Sequence, residues 1–144
     1  MESLYDDVMM EHIKNVRNYR EIEAPTNIAK GTNPLCGDQF SVFLKLDNDI
    51  VVDLSFQCEC CGISMASASM MTEVIKGNSL KDARKVIAEF KDFMRDNVDS
   101  LSVGGDLAAV AETVVKFPSR INCALLGWKT LETALKGEKE ITVK

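Results

Sequence analysis

The chain has 144 residues, 17 basic and 22 acidic side chains, a formal net charge of −5, and 46% hydrophobic against 27% charged residues. That length predicts one domain over residues 1–144, and the composition excludes disorder, collagen-like repeats and a monotonous coiled coil. The acidic balance disfavours nucleic acid and anionic lipid as partners. No apolar run approaches the ~18 residues of a membrane span and residues 1–20 lack an apolar secretory core, so a soluble, cytoplasmic protein without a membrane partner is expected.

In chain order, residues 2–20 place Leu4, Val8 and Ile13 at helical spacing, with Ser3 as a candidate N-cap, and predict an amphipathic helix with His12 on its surface. Residues 21–37 collect Pro25, Asn27, Gly31, Asn33, Pro34 and Gly37, a density of turn residues that predicts a flexible connection without regular structure. Two β-branched and aromatic runs follow, 39–46 and 50–57, parted by Asp47, Asn48 and Asp49; an antiparallel hairpin is the simplest arrangement. The Ala-, Met- and Ser-rich stretch after Cys61 predicts a helix that packs closely and ends at Gly77. Asn78 or Ser79 then caps a helix to about Asn97 whose apolar stripe is Leu80, Ala83, Val86, Ile87, Phe90 and Met94. After a polar turn with Gly104 and Gly105, Asp106 can cap a short helix over about 107–115. Pro118 opens a last helix to Gly137, with Ile121, Leu125, Trp128, Leu131 and Leu135 on its buried side and a solvated tail beyond.

The chemistry is concentrated in five cysteines, an odd number at a density too low for a disulfide-stapled scaffold, so thiols are the expected state. The single histidine removes zincins, His-bearing zinc fingers and a Cys/His nucleophile pair, leaving sulfur and oxygen for metal chemistry. Cys36 and Asp38 flank Gly37 in NPLCGD, where an extended backbone turns both side chains to one side; a turn in which Asp38 bonds the backbone is an equally open alternative. Cys61 in FQCECCGIS precedes a helix start, where unpaired N–H groups and the helix dipole favour a thiolate; a half-buried packing cysteine is the alternative. Cys58 and Cys60 project to one side, but adjacent Cys60 and Cys61 do not easily share one ion. Cys123 in FPSRINC lies about 200° from Ile121 and Leu125, off the apolar stripe, with Arg120 one turn back; a semi-exposed cysteine without a role is the alternative. The methionines 9, 10, 65, 70 and 71 are assigned to packing.

NPLCGD, the strand pair leading into CGISMASASMMTE, and FPSRINCALLGWKTLE together resemble, in order and spacing, three motifs of the U-type iron–sulfur cluster assembly scaffolds (NifU N-terminal/IscU-like). The long stretch from Cys61 to Cys123, and the lack of histidine before Cys123, resemble the SufU-like branch. The resemblance implies an α+β fold (SufE/NifU-like), with a small, mainly antiparallel three-stranded sheet, helices on one face and ligands gathered at one exposed end. It implies Cys36, Asp38, Cys61 and Cys123 as the metal set, Arg120 as a supporting residue, and Zn2+ or a [2Fe-2S] or [4Fe-4S] cluster as the group held. It further implies a pyridoxal-phosphate cysteine desulfurase as sulfur donor and iron–sulfur recipient or carrier proteins downstream; Cys36 is the expected acceptor because it lies on the flexible connection, and Cys123 is second choice by similarity to the IscU-like branch. Against the family pattern, Cys58 and Cys60 stand in place of glycines, two added thiols that could bind a cluster more permanently, relay sulfur or form a CxC disulfide, and Asn122 stands in place of a lysine or histidine. The function expected is cluster assembly from persulfide sulfur at a Cys3Asp site. The alternatives are a zinc-dependent sulfurtransferase partner that carries no cluster, a structural zinc-binding interaction module, and a CxC dithiol oxidoreductase using Cys58 and Cys60.

Overall fold

A computed structural model describes residues 7–35, 37–96 and 105–142. Its elements are α1 (Asp7–Lys14), β1 (Asn27–Asn33), β2 (Asp38–Asp47), β3 (Ile50–Glu59), α2 (Gly62–Ile75), α3 (Leu80–Asp96), α4 (Gly105–Val114), α5 (Ile121–Leu135) and β4 (Glu140–Thr142), with a 3-10 turn at Pro118–Arg120 leading into α5. The β2–β3 hairpin follows from its sequence: Asn48 and Asp49 both adopt positive φ, 51° and 60°, the tight turn whose twist matches the flanking strands. Leu54 and Phe56 on β3 and Phe40, Val42 and Leu44 on β2 alternate into the core.

The α+β class holds, but among the described residues the sheet has four strands, in the order β3-β2-β1-β4, where three mainly antiparallel ones were expected, and it is mixed, because β4 runs parallel to β1. The predicted hairpin supplies two of these strands, and two segments expected to be irregular supply the others. Residues 27–33, within the expected flexible connection, pair antiparallel with β2 from Asn27↔Leu44 to Asn33↔Asp38, and residues 140–142 of the expected solvated tail pair with 30–32. Turn-forming composition loses here to the ladder offered by β2. Gly31 is required by packing: a side chain at that position would collide with Thr130 of α5.

Helices α2 and α5 form the centre. Ser64 bonds the carbonyl of Cys123 (2.9 Å), Ser67 that of Ala124 (2.7 Å), and Gly127 lies so close to Ala68 and Phe40 that a side chain there would need its neighbours to shift. Rising residue numbers match along both helices, so they run side by side in the same direction and their N-termini meet at one end. α5 touches β1, β2, α2 and α3 together, which buries it nearly all round. Trp128 stacks on Phe90 of α3 with centroids 4.2 Å apart and donates from Nε1 to Ser67 Oγ (3.0 Å). Buried aromatic pairs of this kind add about 0.5–1.5 kcal/mol to their area burial.

His12, expected on the surface, is fully buried, with Nδ1 2.9 Å from Ser69 Oγ of α2. Ser69 also accepts the Arg17 N–H, so the chain leaving α1 is fastened to α2 by polar bonds in addition to Met9. The expected helix over 2–20 is helical over Asp7–Lys14, its first residues lying outside those described; Tyr19 pairs as an isolated bridge beside Phe56. Among the described residues no helix is long and apolar enough to cross a membrane.

Candidate metal centre

Asp38 is the first residue of β2 and shares the core face with Phe40 two positions on, but it lies where the apolar layer ends. Cys61 is the N-cap of α2, with extended φ/ψ of −75° and 167°, and its sulfur makes no capping bond to the helix. Cys123 stands in the first turn of α5. Because α2 and α5 start at the same end, donor atoms of Asp38, Cys61 and Cys123 lie within 4.8 Å of one another.

The start of α2 and the first turn of α5 thus meet at a carboxylate and two sulfurs. Asp38 is 5% exposed and has no cationic partner among the described residues. A buried carboxylate in that position is costly without a compensating charge. Zinc bonds of about 2.3 Å to sulfur and about 2.0–2.2 Å to oxygen set tetrahedral ligand atoms roughly 3.3–3.8 Å apart. The three donors therefore fit one ion after a small contraction, and their mix of soft sulfur and one hard oxygen suits zinc or iron.

Ser64, which sequence reasoning missed, organises the cluster. Its Oγ is 2.7 Å from Asp38 Oδ2, 2.9 Å from the Cys123 carbonyl and 3.4 Å from Cys61 Sγ. The hydroxyl donates to Asp38 Oδ2 or the Cys123 carbonyl and shares a hydrogen bond with the Cys61 sulfur in which either is the donor, which leaves the other Asp38 oxygen for a metal. The signal was available as C-x-x-S across a helix start, where the third helical residue turns back toward the cap.

Of the expected site residues, the structure brings together Asp38, Cys61 and Cys123. Cys36 lies outside the described residues; the connection 34–37 that carries it joins the paired Asn33 and Asp38, with Gly37 at φ 78° and Leu35 81% exposed. Arg120 is exposed at the start of α5. Cys123 corrects the expectation that it avoids the core: it is 4% exposed, because α5 is covered on several sides and not along one stripe. Cys58 and Cys60 correct the expectation of thiols throughout, since they form a disulfide.

The chain matches the family model described as "NifU-like N terminal domain" over residues 4–143. It is 43% identical over 141 residues to the zinc-dependent sulfurtransferase SufU of Bacillus subtilis, covering 96% of this chain and 94% of that protein. It is 31% identical over 136 residues to the iron–sulfur cluster assembly scaffold protein IscU of Streptococcus pyogenes, covering 94% and 85%. A crystal structure from Fervidobacterium islandicum AW-1, described as a candidate iron–sulfur cluster assembly scaffold for the SUF system, superimposes with a TM-score of 0.79 at 30% identity, covering 92% of this chain and 96% of that one.

Proposed function

We propose, from the premise that this chain belongs to the NifU-like N-terminal domain family, that residues 1–144 act as one iron–sulfur cluster assembly domain. It accepts persulfide sulfur from a pyridoxal-phosphate cysteine desulfurase and supports cluster formation for recipient or carrier proteins. The observation that carries this reading is the meeting of Asp38, Cys61 and Cys123 at paired helix N-termini. Asp38, Cys61, Cys123 and Cys36 would hold Zn2+ or a [2Fe-2S] or [4Fe-4S] cluster. When bound, the metal keeps these cysteines deprotonated at neutral pH.

Cys36 is the proposed acceptor. Its thiolate attacks the outer sulfur of the desulfurase persulfide; a Cys36–sulfur bond forms, the desulfurase thiolate leaves, and no net electrons move. Arg120, three residues ahead of Cys123, supplies positive charge on that side, which favours thiolate over thiol. Asp38 contributes the one oxygen ligand, which holds a soft cluster less firmly than a fourth sulfur and so favours its release.

The 43% identity to a zinc-dependent sulfurtransferase favours a second reading, in which the chain carries zinc and sulfur but never a cluster. Anaerobic purification with zinc, iron and sulfide counting, followed by a visible spectrum after incubation with iron, cysteine and desulfurase, separates the two. Sulfide-to-iron charge-transfer bands support assembly, and a colourless zinc protein that takes up persulfide supports the second reading. A protein that takes up neither metal nor persulfide overturns both.

A further inference from the structure

The Cys58–Cys60 pair belongs to no part of the proposed ligand set, yet it borders it. Phe40↔Cys58 and Gln39↔Glu59 are the last cross-strand pairs of β3, and Asp38 is the residue of β2 next to Gln39. Cys60 is joined by a peptide bond to Cys61. Both cysteines are half-buried, and their Cα atoms are 5.5 Å apart, within the ordinary range for a disulfide.

Their backbone settings differ. Cys58 is held on β3 by Tyr19, whose hydroxyl donates to the Cys58 carbonyl (3.0 Å) and lies 3.2 Å from the Cys58 N–H. Cys60 stands past the end of β3 in the irregular joint before α2. The backbone of Cys58 is therefore fixed, while Cys60 sits on a segment without ladder bonds and is next in the chain to Cys61.

Resting on the sulfur-acceptor reading above, we infer that Cys58 and Cys60 form a dithiol that reduces sulfur delivered to the Asp38/Cys61/Cys123 centre to sulfide, ending as the disulfide the structure contains. A persulfide carries its outer sulfur at the zero-valent level, whereas a cluster needs sulfide, so two electrons must be added. The Cys60 thiolate attacks that outer sulfur; a Cys60–sulfur bond forms and the site cysteine leaves as thiolate. The Cys58 thiolate then attacks Cys60 Sγ, the Cys58–Cys60 bond forms, and hydrosulfide leaves. Two thiols lose two electrons and the sulfane sulfur gains them. Of the three protons at the start, one ends on the site thiol and two on the released sulfide. A further cycle requires an external dithiol reductant to reopen the disulfide.

The test is a single turnover with the pre-reduced full-length chain, the cognate cysteine desulfurase and one equivalent of cysteine, without added reductant. Released sulfide is measured, and mass spectrometry locates any added sulfur atom. The wild-type chain should release about one sulfide per chain and lose two hydrogens from the segment containing Cys58 and Cys60. Cys60→Ser should keep the sulfur on a site cysteine and Cys58→Ser should trap it on Cys60, each lowering release about tenfold or more. Pre-oxidised wild-type chain, with the disulfide intact, should hold its persulfide like Cys60→Ser and serves as a control that needs no variant to fold. Wild-type rates of release from both variants, or from the oxidised chain, overturn the dithiol inference alone. Absence of persulfide from every cysteine of the oxidised chain and of Cys60→Ser overturns the acceptor reading and the inference with it.

Discussion

Ser64→Ala probes the organisation of the metal centre most directly. Ser64 is buried, 1% exposed, and its removal leaves Oδ2 of Asp38, itself 5% exposed, without its 2.7 Å donor. Loss of a hydrogen bond to a charged, buried acceptor costs about 1.5–3 kcal/mol. For a chain of this size, about 2 kcal/mol corresponds to a fall in Tm of roughly 7 °C. The same bond orients the carboxylate toward the two sulfurs, and loss of such an outer contact weakens a metal site by about 10–100-fold. Chelator competition measures zinc affinity, and urea unfolding of the metal-free protein measures stability. Ser67→Ala is the matched control, because Ser67 is equally buried and bonded to Ala124 and Trp128 but lies one turn further into α2. It should lose about 1–2 kcal/mol while keeping zinc affinity within about twofold. Zinc affinity unchanged in Ser64→Ala, or reduced equally in both variants, would refute the role given to Ser64.

Other outcomes follow from the same structure. Gly31→Ala should destabilise the fold by about 1–3 kcal/mol through collision with Thr130, and adding Thr130→Ala should return part of that loss in urea unfolding. Arg20, bonded to Asp53 at 2.7 Å, and then Lys76 pull the Asp53 carboxyl down to about 2. The stability this supplies is fully present above about pH 4 and lost as pH falls through about 2; solvent screening limits it to about 1 kcal/mol. Asp53→Asn should therefore lower the urea midpoint at pH 7, with the difference from wild type shrinking as pH falls toward 2 and vanishing below it. Replacing both Cys58 and Cys60 by glycine should preserve the fold and zinc binding, since neither belongs to the proposed ligand set; loss of zinc in that variant would show the set to be wrong.

What the sequence determined by itself was local. The periodicity of 80–96 marked α3, with Ser79 accepting the Asp82 N–H as its cap, and Gly77 with φ 92° ended the segment before it. The β2–β3 hairpin was readable from two β-rich runs and their turn, and Cys61 was readable as the residue at a helix start, because each depends on residues a few positions apart. Tertiary structure decided whatever needed a distant partner. Residues 27–33 become a strand because β2 offers unpaired backbone groups, although Gly31 and the asparagines disfavour one locally. His12 is buried because Ser69, 57 residues away, meets its ring. Cys123 joins Asp38 and Cys61 because small residues let α2 and α5 lie close and parallel, so that two helix ends separated by about sixty residues of chain open onto one site. Composition and periodicity record which face of an element is apolar; which other element covers that face is a property of the assembled chain.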